Sequence, residues 1–181
     1  MGTRIATAFE RFDRAELRFC RVLNRSSGLT TPRAFFQAVS RLGDGWIWYA
    51  LILSQLLLPD GTFPAVHLAL TGGAGLLAYK FIKRHAVRER PFITHPAISC
   101  AAAPLDRYSF PSGHTLHAIS FAILGAHYWP ALAAPLAAFA ALVALSRVVL
   151  GLHYPTDVAA GALLGSGLAL GSLKIAASLA L

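Results

Sequence analysis

Residues 146–178 read SRVVLGLHYPTDVAAGALLGSGLALGSLKIAAS, a short polar motif followed directly by a long apolar segment. The apolar part, from residue 156 to about residue 179, is long enough to cross a bilayer, which takes about 20 predominantly apolar residues. Four small residues along it would let a neighbouring helix approach closely: Gly161, Gly165, Gly167 and Gly171. This stretch predicts a membrane-spanning helix that begins beside a polar site.

The composition of the whole chain points to the same environment. Hydrophobic residues make up 56% of the 181 residues and charged residues only 13%, whereas soluble domains carry about 25% charged residues. A chain of this length leaves little room for a second domain once several spans of about 20 residues are subtracted. We expect one domain over residues 1–181, with an amphipathic segment at 1–31 and a transmembrane core at 32–181.

Five apolar segments can be counted against the thickness of a bilayer. They cover residues 32–58, 64–82, 112–129, 131–149 and 156–179. The first contains Arg41 and Asp44, so only its second half is free of charge, and the polar half is placed at the interface. The predicted fold class is all-α, a polytopic transmembrane helix bundle of about five spans.

The N-terminal segment is amphipathic. Its apolar residues recur at roughly helical spacing: Ile5, Phe9, Phe12, Leu17, Phe19 and Val22. They oppose a row of basic residues: Arg4, Arg11, Arg14, Arg18, Arg21 and Arg25. This pattern predicts an interfacial helix in the lipid headgroup region, with an ordinary solvated basic face as the alternative.

Three polar motifs lie at the ends of the predicted spans. They are Lys83 and, after six residues, Arg90-Pro91; the tetrapeptide Pro111-Ser112-Gly113-His114; and Ser146-Arg147 followed by His153 and Asp157. Counting spans puts all three on one membrane face, because an even number of crossings separates them. Together they offer three cations for a phosphate, a nucleophile, an acid and an orienting carboxylate, which indicates a phosphotransfer site.

The second and third motifs have specific physical roles. Ser112 can cap a helix whose first N–H groups lack partners, so this helix start binds an anion, and Gly113 lets the backbone approach it. Arg147 is a planar clamp for phosphate. A carboxylate at Asp157 can fix the tautomer of a neutral His153, which is then a competent nucleophile toward phosphorus.

Each motif also has a plain structural interpretation. The basic residues from Lys83 to Arg90 would cap a span by reaching into the headgroups, which is our interpretation of Arg84 and Arg88. The tetrapeptide would be an ordinary helix cap with an incidental histidine. The third motif would be a structural ion pair, although that explains neither the histidine nor the other two motifs.

The three motifs, in this order, resemble those of the type 2 phosphatidic acid phosphatase superfamily, which includes membrane lipid phosphate phosphatases, glucose-6-phosphatase and the vanadium haloperoxidases. The resemblance spans residues 83–157. It implies that His153 attacks phosphorus to form a phosphohistidine, that Asp157 orients it, and that His114 protonates the leaving oxygen. It also implies that five residues hold the phosphoryl oxygens: Lys83, Arg90, Ser112, Gly113 and Arg147. No metal and no other cofactor takes part in that mechanism.

The chain departs from the usual pattern of this superfamily in two places. Bacterial members commonly have six spans, and here the first is replaced by the amphipathic N-terminal segment. Glu89 stands directly before Arg90, where it would temper the positive charge of the pocket.

The predicted function is hydrolysis of a phosphomonoester or pyrophosphate of a membrane lipid, either polyprenyl-linked or a glycerophospholipid. Of the 16 lysines and arginines, all but Lys174 fall on the predicted catalytic face, and positive residues favour the cytoplasm. We therefore expect a multi-pass protein of a bacterial-type inner (cell) membrane with its site facing the cytoplasm. A periplasmic site would favour an undecaprenyl pyrophosphate phosphatase instead.

Two further alternatives come from other classes. One is a non-catalytic protein that binds or transports lipid phosphates, although binding alone needs only the cations. The other is vanadate-dependent oxidation, which the superfamily performs in large soluble proteins. The expected partners are the lipid phosphate substrate and membrane lipids, which account for the net charge of +8 better than nucleic acid does. No obligate protein partner is inferred.

Overall fold

Helices make up nearly all of the regular structure in this computed structural model, which describes the backbone of residues 2–179 and the side chains of residues 13–179. The helices are α1 (Gly2–Asn24), α2 (Thr30–Leu42), α3 (Trp46–Gln55), α4 (Thr62–His85), α5 (Pro91–Thr94), α6 (Gly113–Tyr128), α7 (Ala133–Val149) and α8 (Pro155–Ser178). Short 3-10 turns cover Arg25–Gly28 and Pro130–Leu132. The predicted all-α class is confirmed.

Helix α6 lies at the centre of the bundle and packs against α4, α7 and α8. Its sequence is apolar on nearly every side, as expected of a helix that is surrounded by other helices. Phe121 stacks on Trp48 of α3 at 5.1 Å between ring centroids, and both belong to a buried cluster with Leu68 and Val143. The middle of α6 is therefore packed against α3, α4 and α7.

Two glycines set the distance between α6 and α8. A Cβ atom at Gly161 would lie 2.5 Å from the carbonyl oxygen of Ser112, and one at Gly165 would lie 2.4 Å from that of Leu116. Only glycine permits this approach, which brings the start of α8 against the start of α6. Gly167 and Gly171 have no such neighbour within 4 Å, so two of the four predicted contact glycines make close contacts.

The predicted first span is not one helix. Helices α2 and α3 are separated at residues 43–45, where Gly45 has a φ of 122° that side chains rarely adopt. With ten residues, α3 is about 15 Å long and does not cross a bilayer by itself. The separation turns Asp44 toward the start of α6, where its carboxylate contacts His114. The position of this polar half at the membrane interface stays a prediction.

Among residues 2–179, three segments are long and apolar enough to cross a membrane: Thr62–His85, Pro130–Val149 and Pro155–Ser178. Helix α6 has 16 residues, fewer than the roughly 20 that a span usually takes. The predicted number of five spans is therefore not confirmed, although the predicted polytopic helical architecture is.

Helix α1 lies against the end of the bundle where α7 passes into α8. Its inner face buries Cys20 and Asn24, and the Asn24 amide donates to the carbonyl of Val149 at 2.9 Å. Its outer face exposes Arg14, Arg18 and Arg21, and Arg25 in the following 3-10 turn is exposed as well. Beside them, Phe19 and Val22 are also exposed, which suits a helix in the headgroup region. The side chains predicted to continue this pattern before residue 13 lie outside the described residues.

Candidate active site

A cavity of about 470 Å³ opens where the ends of α4, α6 and α7 meet the turn that precedes α8. Its polar wall is formed by Asp44, Lys83, Arg90, Asp106, His114, Arg147 and His153. Its apolar wall continues between α3 and α4 and includes Trp48, Ile52, Leu53 and Leu76. The cavity therefore joins a cluster of cations and imidazoles to a surface suited to a hydrocarbon chain.

The first motif contributes two cations that are already occupied by a protein carboxylate. Lys83 lies in the last turn of α4 and donates to both carboxylate oxygens of Asp106, at 2.9 and 2.8 Å. Arg90 is almost entirely buried and donates from Nη2 to the same carboxylate at 2.8 Å. Pro91, the first residue of α5, follows it at a position where no backbone N–H is needed.

The second motif opens α6. Ser112 is the N-cap residue and is fully buried, and its hydroxyl lies 2.9 Å from that of Thr115. This places the serine side chain in the helix cap, whereas Gly113 and His114 line the cavity. The Nε2 atom of His114 contacts a carboxylate oxygen of Asp44.

The third motif lies on the tight turn between α7 and α8. Gly151 has a φ of 75°, and a Cβ atom there would lie 2.4 Å from the carbonyl oxygen of Ser99, so glycine is required. The turn closes through hydrogen bonds from the N–H groups of Leu152 and His153 to the carbonyl of Arg147, at 3.0 and 3.1 Å. It directs the imidazole of His153 into the cavity.

The neighbours of His153 define which ring nitrogen carries the proton. Nη1 of Arg90 lies 3.2 Å from Nε2. Because a guanidinium can only donate, Nε2 is the unprotonated nitrogen and accepts this hydrogen bond. The proton is then on Nδ1, which has no hydrogen-bond partner and lies 3.7 Å from Oδ2 of Asp157. That distance is longer than a hydrogen bond, so the orienting role of Asp157 stays a prediction.

His153 is neutral over a wide pH range. Burial lowers its pKa well below the ordinary value of 6.5, and the positive charges of Arg147, Arg90 and Lys83 lower it further. Each of these effects disfavours the imidazolium form. The neutral ring keeps an electron pair on Nε2, which accepts the hydrogen bond from Arg90.

Arg147 lies near the end of α7 with its guanidinium buried. One Nη atom donates to the hydroxyl of Ser40 on α2, and the Nε atom has no partner. A buried guanidinium with an unused donor beside a cavity is well placed for an anionic ligand.

Arg88 is not the headgroup anchor that the sequence predicted. Its Nη1 donates to Oδ1 of Asp157 at 2.8 Å, and its Nη2 donates to Glu16 of α1, also at 2.8 Å. The guanidinium lies 3.8 Å from the centre of the Tyr154 ring. Glu16 in turn accepts a hydrogen bond from the N–H of Thr156 at 2.8 Å. Arg88 thus connects α1 to the carboxylate behind His153. Arg84 is exposed, and its role as a headgroup anchor stays a prediction.

Two carboxylates of the cavity were not predicted from the sequence. Asp44 lies outside the three motifs, in the stretch predicted to be interfacial, and Asp106 lies in an irregular loop without a motif. Glu89, which was predicted to temper the charge of the pocket, pairs with the exposed Arg107 at 2.7 Å and does not line the cavity. The sequence gives one indication of Asp106, which is its position five residues before the motif Pro111-Ser112-Gly113-His114.

Within the part of the chain whose side chains are described, no cluster of three or more His, Cys, Asp or Glu residues is arranged to hold a metal ion. The cations around the cavity are protein side chains, namely Lys83, Arg90 and Arg147.

Comparison with known proteins decides the family. The model of the PAP2 superfamily matches residues 64–179, which include all three motifs. The chain belongs to the PAP2 superfamily. It is a phosphatase of that superfamily, and the resemblance drawn from its motifs is confirmed.

Several PAP2 proteins are similar over most of their length. A decaprenylphosphoryl-5-phosphoribose phosphatase of Mycolicibacterium smegmatis is 43% identical over 131 residues, which cover 69% of this chain and 68% of that protein. An undecaprenyl-diphosphatase of Bacillus subtilis is 34% identical over 113 residues, 61% of this chain and 58% of the relative. Both names are those of phosphatases.

Solved PAP2 structures share the fold. The crystal structure of Aquifex aeolicus LpxE superposes with a TM-score of 0.78 at 27% identity and covers 87% of this chain and 94% of its own. A PAP2 type phosphatidylglycerolphosphate phosphatase of Bacillus subtilis gives a TM-score of 0.77 at 22% identity, over 94% of this chain and 87% of its own. The helical arrangement around the cavity is therefore that of membrane PAP2 proteins.

Proposed function

We propose that this chain hydrolyses the terminal phosphate of a membrane lipid through a phosphohistidine on His153, without a metal ion. The observation that carries the proposal is the cavity, in which an uncharged imidazole nitrogen lies among buried cations at the mouth of an apolar groove. Lys83, Arg90 and Arg147 spread positive charge over the phosphoryl oxygens. A fixed donor array of this kind is commonly the largest catalytic contribution, at about 2.7–4 kcal/mol for one donor.

The reaction divides into two transfers. In the first, the electron pair on Nε2 of His153 forms a bond to phosphorus while the bond from phosphorus to the lipid oxygen breaks, and His114 gives its proton to that oxygen. In the second, water attacks the phosphohistidine, His114 takes a proton from the water, and inorganic phosphate leaves as the N–P bond breaks. His114 thus acts first as acid and then as base.

Asp44 fits this scheme as a positioning residue. Its carboxylate contacts Nε2 of His114, so it favours the protonated imidazole that the first transfer needs. Asp157 is the positioning residue for His153, because its carboxylate faces Nδ1 of that ring. The two carboxylate oxygens accept hydrogen bonds from Arg88 and from the N–H of Tyr154.

The substrate that these features favour is a polyprenyl-linked phosphomonoester. The groove between α3 and α4 offers an apolar wall directly below the cations, as a lipid tail requires. Support also comes from the relatives, one of which is named for a decaprenyl-linked phosphosugar and another for an undecaprenyl diphosphate. A diphosphate with the same tail has the same terminal group and is the second candidate.

The test is phosphate release by the purified protein from a panel of prenyl, phosphatidyl and sugar-linked phosphates, with a chelator present. We expect turnover of a prenyl phosphomonoester and a trapped, acid-labile phosphoenzyme, both of which disappear in His153→Ala. Phosphate release that persists in His153→Ala, or binding of lipid phosphate without any release, would contradict the proposal.

We also propose that the site faces the cytoplasm, which the distribution of lysine and arginine supports. The chain carries its own probe, since Cys100 is exposed in the loop beside the site whereas Cys20 is buried. A membrane-impermeant maleimide should label Cys100 only after the cells are permeabilised, with Cys100→Ser as the control. Labelling in intact cells would place the site on the outer face of the membrane.

A further inference from the structure

Asp106 occupies the anion-binding donors of the cavity. Its carboxylate receives two hydrogen bonds from Lys83 and one from Arg90, and its backbone carbonyl oxygen receives a fourth from Nε of Arg90 at 2.9 Å. The side chains of the two cations are only 11% and 2% exposed, whereas that of Asp106 is 40% exposed. The carboxylate therefore covers the two cations from the side that is open to solvent.

These hydrogen bonds occupy N–H donors of Lys83 and Arg90 that a phosphate would need. The three protons of the Lys83 ammonium point to the two oxygens of Asp106 and to the carbonyl of Tyr108, at 3.1 Å. Arg90 gives its remaining Nη1 to the carbonyl of Leu152 at 2.8 Å and to His153. A phosphoryl group beside His153 gains the Lys83 ammonium, and the Nη2 proton of Arg90 that Asp106 accepts, only if the carboxylate moves away. Nη2 carries a second N–H, which the bond to Asp106 does not use.

Asp106 lies on a loop at the side of the cavity that is open to solvent. It belongs to the stretch between α5 and α6 that contains no regular helix or strand. Burial alone would raise the pKa of its carboxyl, but the hydrogen bonds and charges of Lys83 and Arg90 hold that pKa below the ordinary value. The group is thus ionised and equivalent in charge to a bound monoanion.

We infer that Asp106 is an internal counter-anion that exchanges with the phosphoryl group: it neutralises Lys83 and Arg90 in the empty site, yields to the substrate, and returns to displace inorganic phosphate. The inference rests on the proposed function, because it assigns these cations to phosphate. The physical reason is that two cations held close together in a buried site repel each other, and a nearby anion offsets that repulsion. A carboxylate that belongs to the protein supplies that anion between turnovers and lowers the affinity of the site for inorganic phosphate.

Displacement makes a quantitative prediction. If every anionic ligand must first displace the same carboxylate, removing the carboxylate improves the affinity of all such ligands by one common factor. If Asp106 instead stayed in place and repelled ligands at a distance, a dianion would gain the square of the factor that a monoanion gains, because the Coulomb energy scales with charge. Two probes of different charge therefore separate exchange from repulsion.

The experiment measures binding of inorganic phosphate and of dimethyl phosphate to the purified full chain by calorimetry, near pH 7.5. In Asp106→Asn we expect the Kd of both probes to fall by about tenfold, equivalent to about 1.4 kcal/mol. The matched control is Glu89→Gln, which removes one negative charge nearby but breaks only the exposed pair with Arg107; both Kd values should stay unchanged. Unchanged or weaker binding in Asp106→Asn, or a much larger gain for phosphate alone, would overturn the inference.

Folding and function are separated by two further measurements. If Asp106→Asn is unstable, phosphate in the buffer should restore its folding, because the added anion replaces the missing one; instability that phosphate does not relieve would count against the exchange. Hydrolysis by the unsubstituted chain without tighter binding in Asp106→Asn would defeat the inference alone. Tighter binding without any hydrolysis by the unsubstituted chain would defeat the proposed function and leave the anion exchange intact.

Discussion

Asp44 and His114 are in direct contact, although 70 positions of the chain separate them. The contact exists because the chain turns at residues 43–45, between α2 and α3, and lays a carboxylate against the first turn of α6. Burial of this imidazole disfavours its protonated form, and the positive charges of Arg147 on α7 and Lys83 on α4 disfavour it further. Asp44 is therefore the group that favours a proton on His114.

Asp44→Asn should slow the reaction in a manner that depends on the leaving group. A prenyl or alkyl alcohol must be protonated as it leaves, so its release should fall by about 100-fold, the lower end of what a general acid contributes. A nitrophenolate leaves without a proton, and p-nitrophenyl phosphate should be hydrolysed at nearly the original rate. Asp60→Asn, at an exposed turn on the opposite end of α4, is the matched control. Equal losses on both substrates would remove Asp44 from proton transfer.

His153 should remain neutral well into the acid range. Because its folded-state pKa is lowered by burial and by three neighbouring cations, the imidazole takes up a proton only below pH 6.5, and the nucleophile persists as the pH falls through 6.5. Nitrogen-15 NMR of histidine-labelled protein, with the signal identified by its absence in His153→Gln, would show the neutral pattern at pH 6.5. Protonation of that ring at or above 6.5 would contradict the electrostatic account.

Arg84 and Arg88 form a natural pair for comparison, since they lie four residues apart and only Arg88 contacts the site. Arg88→Gln leaves Asp157 and Glu16 without their shared cation. We expect kcat to fall by at least about tenfold and KM to change little. A rise of about 1.4 kcal/mol in the activation free energy, from poorer positioning of His153, is enough for that fall in kcat. Arg84→Gln should keep both the activity and the melting temperature. Similar behaviour of the two variants would return Arg88 to the role of a headgroup anchor.

The glycines of α8 should differ according to what their Cβ atoms would meet. Gly161→Ala places a methyl group against the carbonyl of Ser112, so it should shift the start of α6 and destabilise the protein by about 1–3 kcal/mol, the usual cost of overpacking. Gly167→Ala meets nothing within 4 Å and should be neutral or slightly stabilising, because alanine favours a helix. Thermal unfolding in detergent and turnover are the measurements. Equal effects at the two positions would mean that the α6–α8 contact does not set the site.

The membrane character and the helical class could be predicted from the sequence because both depend on local composition, which hardly changes with the packing of the helices. The three motifs were equally visible, since each lies within a few residues of a helix end such as Ser112 or His153. The number of spans was less certain, because the pattern between residues 32 and 58 does not reveal that Gly45 divides it into two helices.

Contacts between distant segments were decided only by the tertiary structure. Asp44 meets His114, Asp106 covers Lys83 and Arg90, and Arg88 joins Glu16 to Asp157. The sequence around a single aspartate or arginine does not reveal whether its side chain faces lipid headgroups or a buried imidazole. Its partner depends on the angle and separation of packed helices, which here follow from glycines in α8 and from the bend before α3. The sequence thus determined which chemical groups are present, and the packing determined which of them are charged, paired and within reach of a phosphate.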